Sequence, residues 1–270
     1  MTDKEYRESP GISRSELWRL NPATGGTPEK FMYAKEHPEP PTPAMVFGTL
    51  AHLALLEPSN FVERFTFAPE GIDRRTKAGK ALWAEFVETV GDRTVVTKDD
   101  WTKASLMADK VNEIDLARKL LCGDHERIFR WTDETTGEEC KIRLDSIRMV
   151  GGVPVIVDYK TTTDASFIAF ARKCVNMGYD FQSGMYTDGV EIVSGMKPRF
   201  VFIVQETEPP FAVNILEADD EFIQRGRDLF RELLGIYHEC KTTNNWYGYL
   251  GAEAVIGRLS LPPWAMSADN

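Results

Sequence analysis

The stretch Lys141 to Lys160, KIRLDSIRMVGGVPVIVDYK, constrains this chain more than any other. Two runs rich in β-branched residues flank Gly151-Gly152, a dipeptide that reads as the two-residue turn of a β-hairpin. A tight turn sets Val150 opposite Val153, and the register propagates from there. Asp145 then falls opposite Asp158, and Arg143 opposite Lys160. Side chains alternate along a strand, so Asp158 and Lys160 share one face, and directly opposed residues share it too. The pattern predicts four polar groups converging at the end of an otherwise apolar hairpin.

Two carboxylates held this close repel each other and raise a pKa unless a cation sits with them. A hard divalent ion such as Mg²⁺ suits two carboxylates plus water. A lysine two residues past the second acid is placed to orient an attacking water or to offset developing phosphate charge. The layout of acid, hairpin and acid-x-Lys resembles the metal-dependent nuclease core known as PD-(D/E)xK.

The rest of the composition narrows the class. A chain of 270 residues, 42% of them hydrophobic, can bury a substantial core and suits one large domain. It has no apolar run of membrane-spanning length. The opening segment MTDKEYRESPGISRSEL lacks the apolar centre of a signal peptide, so a cytoplasmic protein without a membrane partner is expected. Cys122, Cys140, Cys174 and Cys240 are scattered and form no C-x-x-C, which argues against zinc and iron–sulfur sites. A net charge of −10 argues against broad nonspecific coating of DNA, so any nucleic-acid contact must be concentrated locally.

Along the chain, residues 1–122 read as mainly helical, 123–240 as an α/β core and 241–270 as an irregular tail, together one domain. Ser13 is a candidate helix N-cap, with Glu16 three residues on. HPEPPTP (37–43) reads as a rigid loop. Helices are predicted over 44–57, 74–90, 98–121, 165–174, 180–194 and 219–240. Strands are predicted at 126–132, on both arms of the hairpin, at 199–206 and at 211–218. The expected fold class is α/β (α+β), a central mixed sheet with an antiparallel hairpin flanked by helices, behind a helical N-terminal region.

Other residues carry chemistry that could serve such a site. His52 sits on an apolar helix, FGTLAHLALLEP, as a candidate third metal ligand or a group orienting substrate. Gln182 and Tyr186 lie four apart on one helix face, and Gln182 could hydrogen-bond Lys160 or a phosphate. Arg74, Arg75, Lys77 and Lys80 cluster at a helix start as a phosphate-contacting patch. Ser13, Arg14 and Ser15 could bind a terminal phosphate at a helix N-terminus. Arg143, on the hairpin, is a further candidate DNA contact.

The motifs ISRSEL, FGTLAHLALLEP, RRTKAGK, CKIRLD, VDYKT and FQSGMY occur together and in order. Over about residues 10–240 this set resembles the RecE, or exonuclease VIII, family of phage-type enzymes, and is more distantly similar in plan to lambda exonuclease. The resemblance implies a PD-(D/E)xK, restriction-endonuclease-like fold. It also implies a Mg²⁺-dependent enzyme, with Mn²⁺ as a possible substitute, that degrades one strand of duplex DNA from 5′ ends. Carried over by motif, the metal ligands would be His52, Asp145 and Asp158, the catalytic lysine Lys160, and the Q-x-x-x-Y pair Gln182 and Tyr186. Implied partners are duplex DNA ends, a RecT-like single-strand annealing protein, and further copies of the chain in a ring of three or four. A phage or prophage origin in a bacterial cytoplasm goes with it. Competing expectations are a RecB-like nuclease of the same core, its iron–sulfur CRISPR-associated relatives, a structure-specific endonuclease, or a non-catalytic DNA-binding or assembly protein that keeps the fold.

Overall fold

The computed structural model describes residues 3–67 and 72–260; residues 261–270 of the expected irregular tail lie outside the described residues. In chain order, α1 (Asp3–Glu8), β1 (Ile12–Ser13), α2 (Arg14–Leu17) and α3 (Pro28–Glu36) come first. They are followed by α4 (Pro43–Leu56), α5 (Pro58–Arg64), β2 (Phe65–Phe67), α6 (Lys77–Val90), β3 (Thr94–Val96), α7 (Lys98–Asn112) and α8 (Asp115–Leu121). The second half runs β4 (Asp124–Thr132), β5 (Glu139–Val150), β6 (Val153–Thr162), α9 (Phe167–Met177), α10 (Tyr179–Ser194), β7 (Arg199–Glu206), β8 (Val213–Glu217) and α11 (Asp220–Thr243).

Local chemistry explains where several helices begin. Thr42, Thr76 and Thr97 each precede a helix, and each side-chain oxygen accepts a backbone N–H three residues on. Pro43 occupies the first turn of α4, where no intrahelical N–H is needed. The single helix expected over 98–121 is instead two, because Ile114 is extended between α7 and α8. The strand expected from 211 begins only at Val213. Phe211 has φ 57, a left-handed conformation that an extended strand cannot contain. Sequence reading missed α5 and the small parallel pair β2–β3.

The chain divides into two compact units, one formed by residues 1–14 and 40–230 and the other by 15–39 and 231–270. The first holds a mixed sheet in the order β1-β5-β6-β7-β8, with β4 also paired to β5. The β4–β5, β5–β6 and β7–β8 pairings are antiparallel; β1–β5 and β6–β7 are parallel. The hairpin turn is as expected, with Val150 opposite Val153 and Gly151 and Gly152 both at positive φ.

The extrapolated register does not run to the end of the hairpin. The β5–β6 ladder ends at Ser146 opposite Val157, one pair short of Asp145 and Asp158. Beyond that point the two strands fork. β5 takes β1 as a neighbour at Cys140 and Lys141, and β6 runs on beside β7. Arg143 therefore lies beyond the β5–β6 ladder and does not face Lys160; on the other edge of β5 it is opposite Ile128 of β4.

The two faces of β6 differ in character. Val155, Val157 and Tyr159 join Val201 and Ile203 of β7 in a core with Ala51, Leu55 and Leu56 of α4, Met107 and Val111 of α7, and Leu121 of α8. The alternate residues Ile156, Asp158 and Lys160 look the other way, where Phe200 and Phe202 of β7 meet Phe170, Tyr179 and Tyr186 of α9 and α10. α10 rests on β4, β5 and β7. It meets α11 through Gly184 and Gly226, and a Cβ on Gly226 would collide with the Asp180 carbonyl oxygen. Arg225 reaches Asp180, and Arg227 reaches Asp188 (2.5 Å) and Glu191 (3.2 Å), holding the same two helices.

Lys141 is almost fully buried and donates to the carbonyls of Tyr6 (2.9 Å), Arg7 (3.2 Å) and Ser9 (2.6 Å). A cation at the carbonyl end of α1 is favourable with the helix dipole, and it ties the N-terminal segment to β5. In the second unit Phe31 stacks on Trp246 (5.5 Å, 10°) and meets Tyr237 edge-on (5.8 Å).

The α10–α11 contact generates a stability expectation. Gly226→Ala must push the helices apart, and is expected to lower the unfolding free energy by about 1–3 kcal/mol, as for other overpacked sites. Equilibrium urea unfolding measures this, and an unchanged midpoint would contradict the close backbone approach.

Candidate active site

The fork between β5 and β6 brings together Asp145, Asp158, Lys160, His52 and Gln182 from the residues singled out in the sequence. Where the ladder stops, Tyr159 N–H still needs an acceptor, and the Asp145 carboxylate supplies it at 2.9 Å. The same carboxylate oxygen lies 3.5 Å from His52 Nδ1 of α4. The His52 ring packs edge-on against Tyr159 at 5.0 Å, and Tyr159 Oη donates to Gln205 Oε1 at 2.6 Å. Gln205 in turn donates to the Met107 carbonyl of α7 (3.0 Å). A buried chain of contacts thus runs from the α7 backbone to Asp145.

On the other side of β6, Asp158 is 1% exposed. Gln182 of α10 donates to its Oδ1 at 2.5 Å. Lys160 forms an ion pair with its Oδ2, which has no further hydrogen bond of good alignment. Burial raises the Asp158 pKa above the usual carboxylate range; Lys160 opposes that shift and Asp145 adds to it. Burial works to lower the Lys160 pKa, but Asp158 and then Asp145 outweigh it, so the amine is held as an ammonium. The Tyr179 ring lies under that ammonium, 4.9 Å from its nitrogen.

Arg14, just past β1, donates to the carbonyls of Met177 and Gly178 (2.8 Å to the latter), at the carbonyl end of α9. Burial lowers its pKa, while Tyr186, Tyr179 and Asp158 pull the other way, which places it on the Asp158 side of the fork. Tyr186 is partly buried beside Phe200, and burial pushes its hydroxyl pKa well above the ordinary value.

The remaining sequence candidates are elsewhere. Ser13 is buried in β1, opposite Lys141. Ser15 falls in the other unit. Arg143 pairs with Glu126 (2.8 Å) and lies over the Tyr6 ring (4.9 Å), so its charge is engaged within the chain. Arg75 is bound to Asp73 (3.0 Å). Arg74, Lys77 and Lys80 are exposed at the start of α6.

Two carboxylates at one fork, Asp158 buried and Asp145 partly exposed, are a donor set that fits a hard divalent cation. Among the described residues, no three His, Cys, Asp or Glu side chains form a closed cage. An ion here would complete its shell with water or substrate oxygens, as Mg²⁺ commonly does.

Sequence reading missed Tyr159, Gln205 and Tyr179. The signal for Tyr159 was in plain view in VDYK: the residue between acid and lysine must point to the opposite face.

Among curated proteins none matches this chain. The crystal structure of a candidate exonuclease from Eubacterium rectale is similar over 99% of this chain and 98% of its own, with a TM-score of 0.59 at 14% identity. This is a likeness of fold. The crystal structure of SSO0001 matches over 70% of this chain and 84% of its own at 14% identity, but its TM-score of 0.30 carries no weight. A family model described as a PDDEXK-like domain of unknown function, DUF3799, matches residues 21–256, and the chain belongs to that family.

Proposed function

We propose that this chain is a Mg²⁺-dependent exodeoxyribonuclease that digests one strand of linear duplex DNA from its 5′ end. The observation that carries this reading is the meeting of Asp145, Asp158 and Lys160 at the β5–β6 fork, with Gln182 bonded to Asp158. Strand polarity, delivery of 3′ tails to an annealing protein, and a ring of three or four subunits rest on the resemblance to the RecE family.

Asp145 and Asp158 would hold the cation, which when bound polarises the scissile phosphate and lowers the pKa of a coordinated water. Lys160 stays charged in a partly buried position, where its ammonium offsets the charge that develops on the phosphate. Gln182 fixes the Asp158 carboxylate, and His52 with Tyr159 N–H fixes that of Asp145. Such supporting contacts orient the groups that touch the metal. Arg74, Lys77 and Lys80 are free to contact the DNA backbone.

Linear duplex DNA labelled at either end is expected to lose its 5′ label first in Mg²⁺, to be stable in EDTA, and to recover cleavage when Mg²⁺ is returned. Closed circles are expected to survive. Cleavage of circles would indicate an endonuclease, and no cleavage with any divalent metal would leave a DNA-binding or assembly role. Asp145→Ala, Asp158→Asn and Lys160→Met should each lower single-turnover cleavage by a factor on the order of a hundred or more while melting as cooperatively as wild type. Wild-type rates in any of the three would refute its assigned role. Gln182→Ala removes a support of Asp158 without removing a carboxylate. It should raise the Mg²⁺ concentration for half-maximal activity by roughly ten- to a hundredfold. A loss of rate at saturating Mg²⁺ with no change in that midpoint would contradict the supporting role.

A further inference from the structure

A groove of about 790 Å³ lies along the N-terminal half of α4, away from the carboxylates. Its apolar lining comes from Val46, Phe47, Leu50 and Trp83. Its rim carries Arg74 and Lys98, together with Asp100, whose carboxylate accepts from the Thr97 hydroxyl (2.7 Å). The Arg74 guanidinium lies over the Trp83 ring, 4.2 Å from its centroid, and among the described residues it has no acidic partner. Lys77 and Lys80 add two exposed ammonium groups on the same helix, also without acidic partners among the described residues.

Two needs must be met by any occupant. Arg74, Lys77 and Lys80 call for an anion, on a chain whose net charge is −10. The flat Arg74–Trp83 pair and the apolar floor call for a planar, partly apolar group. A single nucleic-acid strand meets both, with a phosphate at every step and an exposed base face at every residue. A duplex does not, because its bases are stacked on one another and closed to a side groove. An acidic peptide would satisfy the charge and leave the planar stack unused.

We infer that this groove holds an unpaired segment of single-stranded DNA, with a base stacked on the Arg74–Trp83 pair and its phosphates against Arg74, Lys77 and Lys80. This deepens the nuclease reading and rests on it, because α4 is also the helix that carries His52. Phe47 and His52 are five residues apart, a rise of about 7.5 Å. Five residues also turn about 140° around the helix, so the groove and His52 lie on different sides of α4, and the groove is a second contact for the strand, separate from the fork.

The test is binding in EDTA, which reads the groove whether or not the chain cleaves DNA; failure here and failure of the nuclease reading are thus separable. Fluorescence anisotropy would compare labelled oligo-dT, a blunt duplex, and the same duplex with a single-stranded tail. Trp83→Ala is expected to weaken oligo-dT and tailed-duplex binding by roughly ten- to a hundredfold and the blunt duplex far less, with Trp83→Phe restoring most of the loss. Oligo-dT carrying 5-iododeoxyuridine should photocrosslink to the wild-type peptide that contains Trp83, a readout that does not depend on a variant folding. Equal weakening of blunt and single-stranded ligands would overturn the inference in favour of a plain electrostatic patch. Crosslinks confined to other peptides would overturn it as well.

Discussion

The hydrogen bond from Tyr159 N–H to the Asp145 carboxylate is the contact on which the site depends. Two antiparallel strands that part company leave backbone donors without acceptors, and a buried orphan donor costs about as much as a lost hydrogen bond. Here a side chain fills the gap left by the ladder. The consequence is geometric: Asp145 is fixed at the mouth of the fork by the neighbour of Asp158. The spacing of the two carboxylates is thereby written into one strand's backbone. His52 on α4 secures the Asp145 carboxylate and Gln182 on α10 the Asp158 carboxylate, so helices on opposite faces of the sheet converge on one pair of acids.

The two faces of β6 divide the labour. The Tyr159 face is largely apolar, and the tyrosine hydroxyl is anchored through Gln205 to the α7 backbone. The Asp158 face is buried yet charged, and such a pair is unfavourable unless its members compensate one another. Lys160 and Gln182 provide that compensation in the chain as it stands. A divalent cation would compete with Lys160 for Asp158, which would free the ammonium for a phosphate.

Much of this was legible in the sequence because the signals were local. Gly151-Gly152 set the turn, and the alternation in VPVIVDYK assigned Asp158 and Lys160 to one face. What escaped had non-local causes. Nothing near Asp145 announces that β5 leaves β6 after Ser146 and meets β1 at Cys140 and Lys141. The expected opposition of Arg143 and Lys160 failed for that reason. Arg143 read as a DNA contact and instead pairs with Glu126 over the Tyr6 ring, while its neighbour Lys141 anchors the N-terminal segment through the Tyr6 carbonyl. Arg14 similarly serves the carbonyl end of α9, where a phosphate contact was expected. Cations in a strand motif carry no sequence mark that separates these uses.

The most direct measurement on the fork is Mn²⁺ binding in the absence of DNA, followed by electron paramagnetic resonance as free Mn²⁺ signal lost on titration. If Asp145 and Asp158 together hold a cation, the wild-type chain binds Mn²⁺ in competition with Mg²⁺, and Asp145→Ala and Asp158→Asn each abolish the tight phase. Equal Mn²⁺ binding by the wild type and both variants would place the metal elsewhere and contradict a two-carboxylate site at the fork.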